Sequence, residues 1–246
     1  MRRLAIFLLF LLPLAACTQQ NTVRTLEATL PASGASSLLT QTNIGSVTIK
    51  PSPDAEVHIS VGLRPSSNFL WGLIAHHDTP DTIKAASLAH NLNDHTLELS
   101  VQYPEGADTG GVNETWTVAV PATFGVMSHI NIGKLHVTGT SGGVAAQINI
   151  GKVALDVPGG PLDVTINVGK IAAQAHTLAY GDVALAANVG NTSLTVDGLS
   201  VGDAQKEGAG SQMSYHGKGS DTINLKVNTG KATLALSAPT ATKPGA

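Results

Sequence analysis

Lys134, Lys152, Lys170 and Lys231 each follow the same tripeptide: an asparagine, an apolar residue or threonine, and a glycine. Ammonium groups recurring at a fixed interval support one kind of chemistry, the electrostatic holding of an anionic glycan or a lipid headgroup layer. The other reading is that lysine keeps the surface soluble and guards strand edges against pairing. The asparagines form a second recurring set: Asn43, Asn131, Asn149, Asn167, Asn188 and Asn228. Stacked at the strand spacing of about 4.8 Å, their amides would hydrogen-bond up and down the stack. Alternatively they only tolerate the corner before glycine, and a ligand role is the third possibility. His76-His77-Asp78, with His90 and His95 near in sequence, offers imidazole and carboxylate ligands suited to zinc. The spacing matches no ligand pattern, and adjacent residues in extended chain point to opposite sides. No metal site and no cofactor is therefore expected.

Catalytic constellations do not emerge either. Paired carboxylates of the glycosidase kind do not recur on one face. Gly139 to Gly143 and Gly198 to Gly202 match the letters Gly-x-Ser-x-Gly, but each reads as a glycine-rich corner among alternating strands with no helix after it, so neither is a nucleophile elbow, and no phosphate-binding loop leads into a helix. Polysaccharide lyases built on β-helices use Arg or Lys as base beside clustered acids, yet no Arg lies beyond Arg64. Tyr180 and Tyr215 are the only aromatics of the repeats that could stack on a sugar. The expectation is a protein that is not an enzyme. A glycan-cleaving β-helix enzyme is the remote alternative.

The one cysteine, Cys17, belongs to the leader. Met1-Arg2-Arg3 is a charged start, and Leu4 to Leu14 is an apolar run interrupted by Pro13. That run is shorter than the ~20 residues needed to cross a bilayer. With Leu14-Ala15-Ala16-Cys17 it resembles a bacterial lipoprotein signal, which implies cleavage before Cys17 and fatty-acyl (palmitate-type) modification of that residue. An ordinary secretory signal with an incidental cysteine is the alternative. A lone cysteine cannot form an internal disulfide, so lipidation accounts for it. Two or three acyl chains give stable anchoring where one does not. Thr18, standing where an aspartate would signal inner-membrane retention, favours the outer membrane of a Gram-negative cell. Losing Arg2 and Arg3 with the leader takes the formal charge from −3 to −5. A mildly acidic chain has no bulk attraction for nucleic acid.

The elements that must position these residues are short strands. Residues 17–24 read as a polar tether. Residues 25–126 read as a β head, with clean alternation in Glu56 to Leu63, Leu97 to Val101 and Trp116 to Val120. An inserted loop at 65–82 carries Phe69-Leu70-Trp71, which either caps the repeats or touches a membrane or partner. Residues 127–237 are regular. The asparagines recur after 18 residues twice, then 21, then 40. Alternation places Leu162, Val164, Ile166 and Val168 inward, then Ile171, Ala173 and Ala175. Likewise Val144, Ala146, Ile148 and Ile150 face in, followed by Val153, Leu155 and Val157. So short a repeat cannot bury its own apolar face and must stack on its neighbours. The predicted fold is all-β: a single-domain parallel β-solenoid with about 18–21 residues per coil and an N-terminal β cap. The strand Lys231 to Ser237 would be its open edge, guarded by a disordered tail at 238–246 containing Pro239 and Pro244. With that guard the chain is expected to be a monomer.

Alternating strands at the head, the junction Val118-Ala119-Val120-Pro121, the serial glycine-led strands and the closing segment Gly217 to Leu225 resemble the adhesin-like β-solenoid family of bacterial envelope proteins. The resemblance covers roughly residues 40–237. Family members write the repeat as Gly-Ser-Gly-Asp, where this chain has Asn, an apolar residue, Gly and Lys. It implies a non-catalytic envelope lipoprotein, a rigid scaffold for adhesion or protein–protein contact. The alternative is a module binding anionic envelope glycan or lipid headgroups through the lysines.

Overall fold

The computed structural model describes residues 24–66, 79–201 and 205–239. The leader, Cys17, Phe69-Leu70-Trp71, His76-His77-Asp78 and most of the tail lie outside the described residues. The head comprises β1 (Arg24–Pro31), β2 (Ser37–Pro51), β3 (Glu56–Pro65), the helix α1 (Thr79–Ala85), β4 (Ser87–Asn93), β5 (Thr96–Gln102) and β6 (Val112–Val120). The repeats follow as β7 (Gly125–Thr138), β8 (Val144–Val157), β9 (Leu162–Ala175) and β10 (Tyr180–Val196). Then come β11 (Leu199–Ser200), β12 (Gln205–Glu207), β13 (Gly210–His216) and β14 (Asp221–Leu236).

A repeat strand has 14 residues and would span about 46 Å if straight. Only five residues separate the end of β7 from the start of β8, yet the two strands lie side by side, parallel and in register. That connection reaches about 17 Å at most. Each strand must therefore double back near its middle, and the burial pattern shows where. In β8, Val144, Ala146 and Ile148 are buried, and so are Val153, Leu155 and Val157. The phase of alternation changes across Asn149-Ile150-Gly151-Lys152, which is the bend. The strand's two arms face each other across one apolar core. The ends of β2 confirm the geometry: its first arm pairs with β5 and its second with β6, because the arms have separated.

The expectation of a pure parallel β-solenoid with an appended cap is overturned. The strands form a single open, mixed sheet of 14, with the path β1-β3-β6-β2-β7-β8-β9-β14-β10-β13-β12. Both ends are antiparallel, β1 on β3 and β3 on β6 at one, β10 on β13 and β13 on β12 at the other. The head is thus continuous with the repeats rather than stacked on them. The strand order also departs from chain order. The last strand, β14, lies between β9 and β10 and is parallel to both. Lys231 to Leu236 is consequently interior and not an open edge, so the guard expected of the tail has no edge there to protect.

The alternation also misplaces two residues. Ile150 and Val168 are 45% and 47% exposed, not inward. Carrying the strand's phase straight through the corner put them on the wrong side. Trp116, Leu63 and Ile83 are fully buried in the head, and Leu135, Leu162, Ile166 and Tyr180 are fully buried in the repeats, where the small Ala146, Ala173 and Ala175 pack beside them.

Candidate functional site

Every bend sits against the bend of the next strand, so the sheet folds over along a crest. Gly45, Gly133, Gly151, Gly169, Gly230 and Gly190 are in register along it. A methyl group on any of the last five would lie 1.8 to 1.9 Å from the carbonyl oxygen of the adjacent glycine. That closeness admits only glycine, and it places the neighbouring residues in straight columns.

On one side of the glycines stand the asparagines. Asn131 Nδ2 donates to Asn43 Oδ1 at 2.9 Å, Asn149 to Asn131 at 3.1 Å, and Asn167 to Asn149 at 2.9 Å. Asn188 Nδ2 donates to Asn228 Oδ1. All four donate toward the head, so the amide dipoles are aligned. The ladder exists in two segments, Asn43 to Asn167 and Asn228 with Asn188, and its exposed outer edge offers amide groups to solvent.

Between the asparagines and the glycines runs a column of Ile44, Ile132, Ile150, Val168, Thr229 and Val189, apolar except for Thr229, of which the sequence reading had placed Ile150 and Val168 inside. Ile132, Ile150, Val168 and Val189 are 41–49% exposed. On the far side of the glycines, Lys134, Lys152, Lys170 and Lys231 occupy four consecutive strands, flanked by Ser46 and Asn191. All four lysines are exposed. Among the described residues, the ion pairs join Asp54 to His58, Asp81 to Lys84, Asp156 to His176 and Asp182 to His216, and none takes a crest lysine. Placement of β14 beside β9 makes Lys231 continuous with the other three, a contiguity hidden in the 40-residue gap before Asn228.

Two grooves flank the crest. The groove on the lysine side holds about 560 Å³ and is lined by Ile132, Ile150, Val168, Lys134, Lys152 and Arg64, without a carboxylate. Arg64 is half-buried there, its Nε donating to Asn113 Oδ1 at 3.4 Å. The asparagine-side groove, about 810 Å³, is lined by Asn43, Asn131, Asn149, Asn167, Gln147 and His129, and ends at Tyr103 and Glu114. Glu114 is 5% exposed. Thr42 Oγ1 and Trp116 Nε1 donate to its Oε2 at 2.6 and 2.7 Å, and Tyr103 OH donates to its Oε1 at 2.7 Å. A buried carboxylate needs such donors. Burial, with Glu114 beside it, pushes the Tyr103 hydroxyl far above the ordinary tyrosine range. This cluster was not legible in the sequence, since Thr42 and Glu114 are 72 residues apart.

The remaining candidates divide differently. His95 sits in the β4–β5 turn at φ 65° and its Nδ1 donates to the Gly34 carbonyl at 2.8 Å, which occupies it locally. Asp54, Glu56 and His58 bring ligand atoms together at the surface. Asp54 there accepts from the Glu56 amide and from Ser52, and these bonds hold its carboxyl below the ordinary range, with His58 adding to them. These contacts account for the cluster as a turn. Tyr180 is fully buried, its hydroxyl donating to the Gly160 carbonyl at 3.0 Å, and is out of reach of any sugar.

No known protein family's sequence pattern and no curated relative matches the chain. Among solved structures it is similar to a proposed cell adhesion protein from Clostridium sporogenes, at 14% identity over 87% of this chain and 99% of that one, with a TM-score of 0.54. It also matches a proposed adhesin from Bacteroides fragilis at 10% identity, covering 87% and 97% of the two chains, with a TM-score of 0.25. A proposed lipid binding protein from Parabacteroides distasonis matches at 10% identity over 88% and 94%, with a TM-score of 0.28. The first establishes a shared fold. The other two are too loose to carry an argument. The adhesin-like resemblance thus holds for the fold, without a family.

Proposed function

We propose that this chain is a non-catalytic, adhesin-like protein of the bacterial envelope that grips an anionic partner along its crest. One observation carries the reading: four lysines on four adjacent strands, exposed, with no carboxylate paired to them among the described residues. Like charges at the strand spacing of about 4.8 Å repel one another. A row of them set beside strands that are already paired guards no edge, which removes the reading of lysine as an edge guard. The sheet is rigid and repeats at that spacing, so it suits a partner whose anions also recur. The fold shared with the Clostridium protein is compatible with adhesion. In this reading Cys17 is the lipidated anchor, the outer membrane of a Gram-negative cell is its location, and no cofactor or nucleic acid is involved.

The test is binding to immobilised heparin as an anionic-polymer probe. Retention should fall with salt. It should be lost when Lys134, Lys152, Lys170 and Lys231 are all replaced by Ser, with the fold intact by circular dichroism. Equal retention of the variant would sink the proposal. Anchoring is tested separately: wild type should stay with membranes through a high-salt wash, whereas Cys17→Ser should be released by it.

A further inference from the structure

We infer that the crest seats on an anionic lipid surface, with its aliphatic column entering the acyl boundary while its lysines meet the headgroups. The inference rests on the reading of the crest as an anion-binding edge and names what carries the anions. Charge alone would suit a soluble polyanion equally well. The apolar column would not. Ile132, Ile150 and Val168 are branched aliphatics on three adjoining strands and Val189 follows beyond Thr229, all four 41–49% exposed, in a column about 19 Å long across five strands. A contiguous exposed apolar strip marks a contact surface. Sugars stack on flat aromatic faces, and this strip has none, whereas hydrocarbon accepts any aliphatic shape.

Geometry allows both contacts at once. The lysine follows the apolar residue by two positions, about 6–7 Å along the chain, on the same outer edge of the fold. Long lysine stems lie along apolar surface and keep the ammonium in the polar layer. Arg64 adds a third cation to Lys134 and Lys152 in the flanking groove, which has no carboxylate. Amphipathic elements bind membranes by this pairing of an apolar stripe with flanking cations. Each lysine at an anionic leaflet multiplies partitioning roughly fivefold.

The experiment uses the chain from Thr18 onward, which holds every described element and leaves out leader and lipid. Sedimentation with phosphatidylcholine vesicles is compared with vesicles containing phosphatidylglycerol. The expected result is at least tenfold stronger partitioning to the anionic vesicles, lost in the fourfold Lys→Ser variant. Combined Ile132→Ser, Ile150→Ser, Val168→Ser and Val189→Ser should weaken vesicle binding at least tenfold while heparin retention stays unchanged. An Ile150→Trp variant should show blue-shifted emission on anionic vesicles only. Wild-type-like vesicle binding by the apolar variant, or absence of vesicle binding with heparin retention intact, overturns the lipid inference and leaves the anion reading standing. Absence of both overturns the two together.

Discussion

Gly151→Ala isolates what holds the crest together. A Cβ on Gly151 would lie 1.9 Å from the Gly133 carbonyl oxygen and 2.9 Å from its carbon, where ordinary contact begins near 3.4 Å. Both clashing atoms are backbone, so no side chain can swing away. Relief requires β7 and β8 to part by an ångström or more at the bend, out of a spacing of about 4.8 Å. That breaks the adjacent ladder hydrogen bonds, each costing about 1–3 kcal/mol when its groups are left unpaired. It also loosens Ile148 and Val153 on either side of the corner, and overpacking of this kind costs about 1–3 kcal/mol more. The sum is roughly 3–6 kcal/mol, a large share of the ~5–15 kcal/mol that stabilises a domain. At ~2–4 °C per kcal/mol for a chain of this size, the melting temperature should fall by roughly 6–24 °C. Gly106→Ala is the control: Gly106 has φ +76° but nothing within 4 Å, so it carries conformational strain without collision, about 1 kcal/mol. Thermal unfolding by circular dichroism at one pH compares the two. A Gly151→Ala variant melting within about 2 °C of wild type, or above Gly106→Ala, would refute the steric account.

Glu114→Ala strands three donors and should cost about 3 kcal/mol or more in urea unfolding, while Glu114→Gln, which keeps one acceptor oxygen and lets the Tyr103 hydroxyl turn, should cost about a third of that; equal losses would mean the hydrogen bonds do not matter. Burial, with Asp221 nearby, pushes the Tyr180 hydroxyl from 10 up to about 12. Below pH 10 both states are neutral there and stability is intact; from pH 10 to about 12 the unfolded tyrosine ionises first and stability declines, by about 1.4 kcal/mol at pH 11. Tyr103, raised further still, adds its own decline over the same range, so Tyr180→Phe should reduce the loss between urea midpoints taken at pH 9 and 11 without abolishing it, and an unchanged slope would exclude Tyr180 as a source. Asn149→Ala removes two rungs of the amide ladder and should lower stability by about 1 kcal/mol, read as a small shift in the same urea curves.

Much of the crest was legible because its four-residue motif is local. Asn149 and Asn167 had to stack if residues 18 apart occupied equivalent positions, and the lysines followed with them. Alternation correctly sorted Val144 to Ile148 and Val153 to Val157 inward. It failed at Ile150 and Val168 because a bend resets the phase, and nothing in a strand's own period marks that reset. The partners of Glu114 lie 72, 11 and 2 residues away, so no spacing rule connects them. The order of the strands was equally hidden. Chain neighbours usually pair, and β10 does not pair with β9.

The place of β14 has a consequence for how the molecule is made. Strands β1 to β10 leave the ribosome, or cross a membrane, before the segment that will separate β9 from β10 exists. Until then the facing sides of β9 and β10 lack their neighbour, and the core beneath Ala173 and Leu185 stays uncovered. Closure requires Asp221–Leu236 to thread in parallel between two strands, with pairings 40 and 61 residues distant in sequence. Contacts that span such loops form late and slowly. The open slot is also identical in every copy, so at high concentration the closing strand of one molecule is a full match for the gap of another. An exchanged pair would repeat every pairing of the single molecule, so concentration during folding is expected to decide between the two.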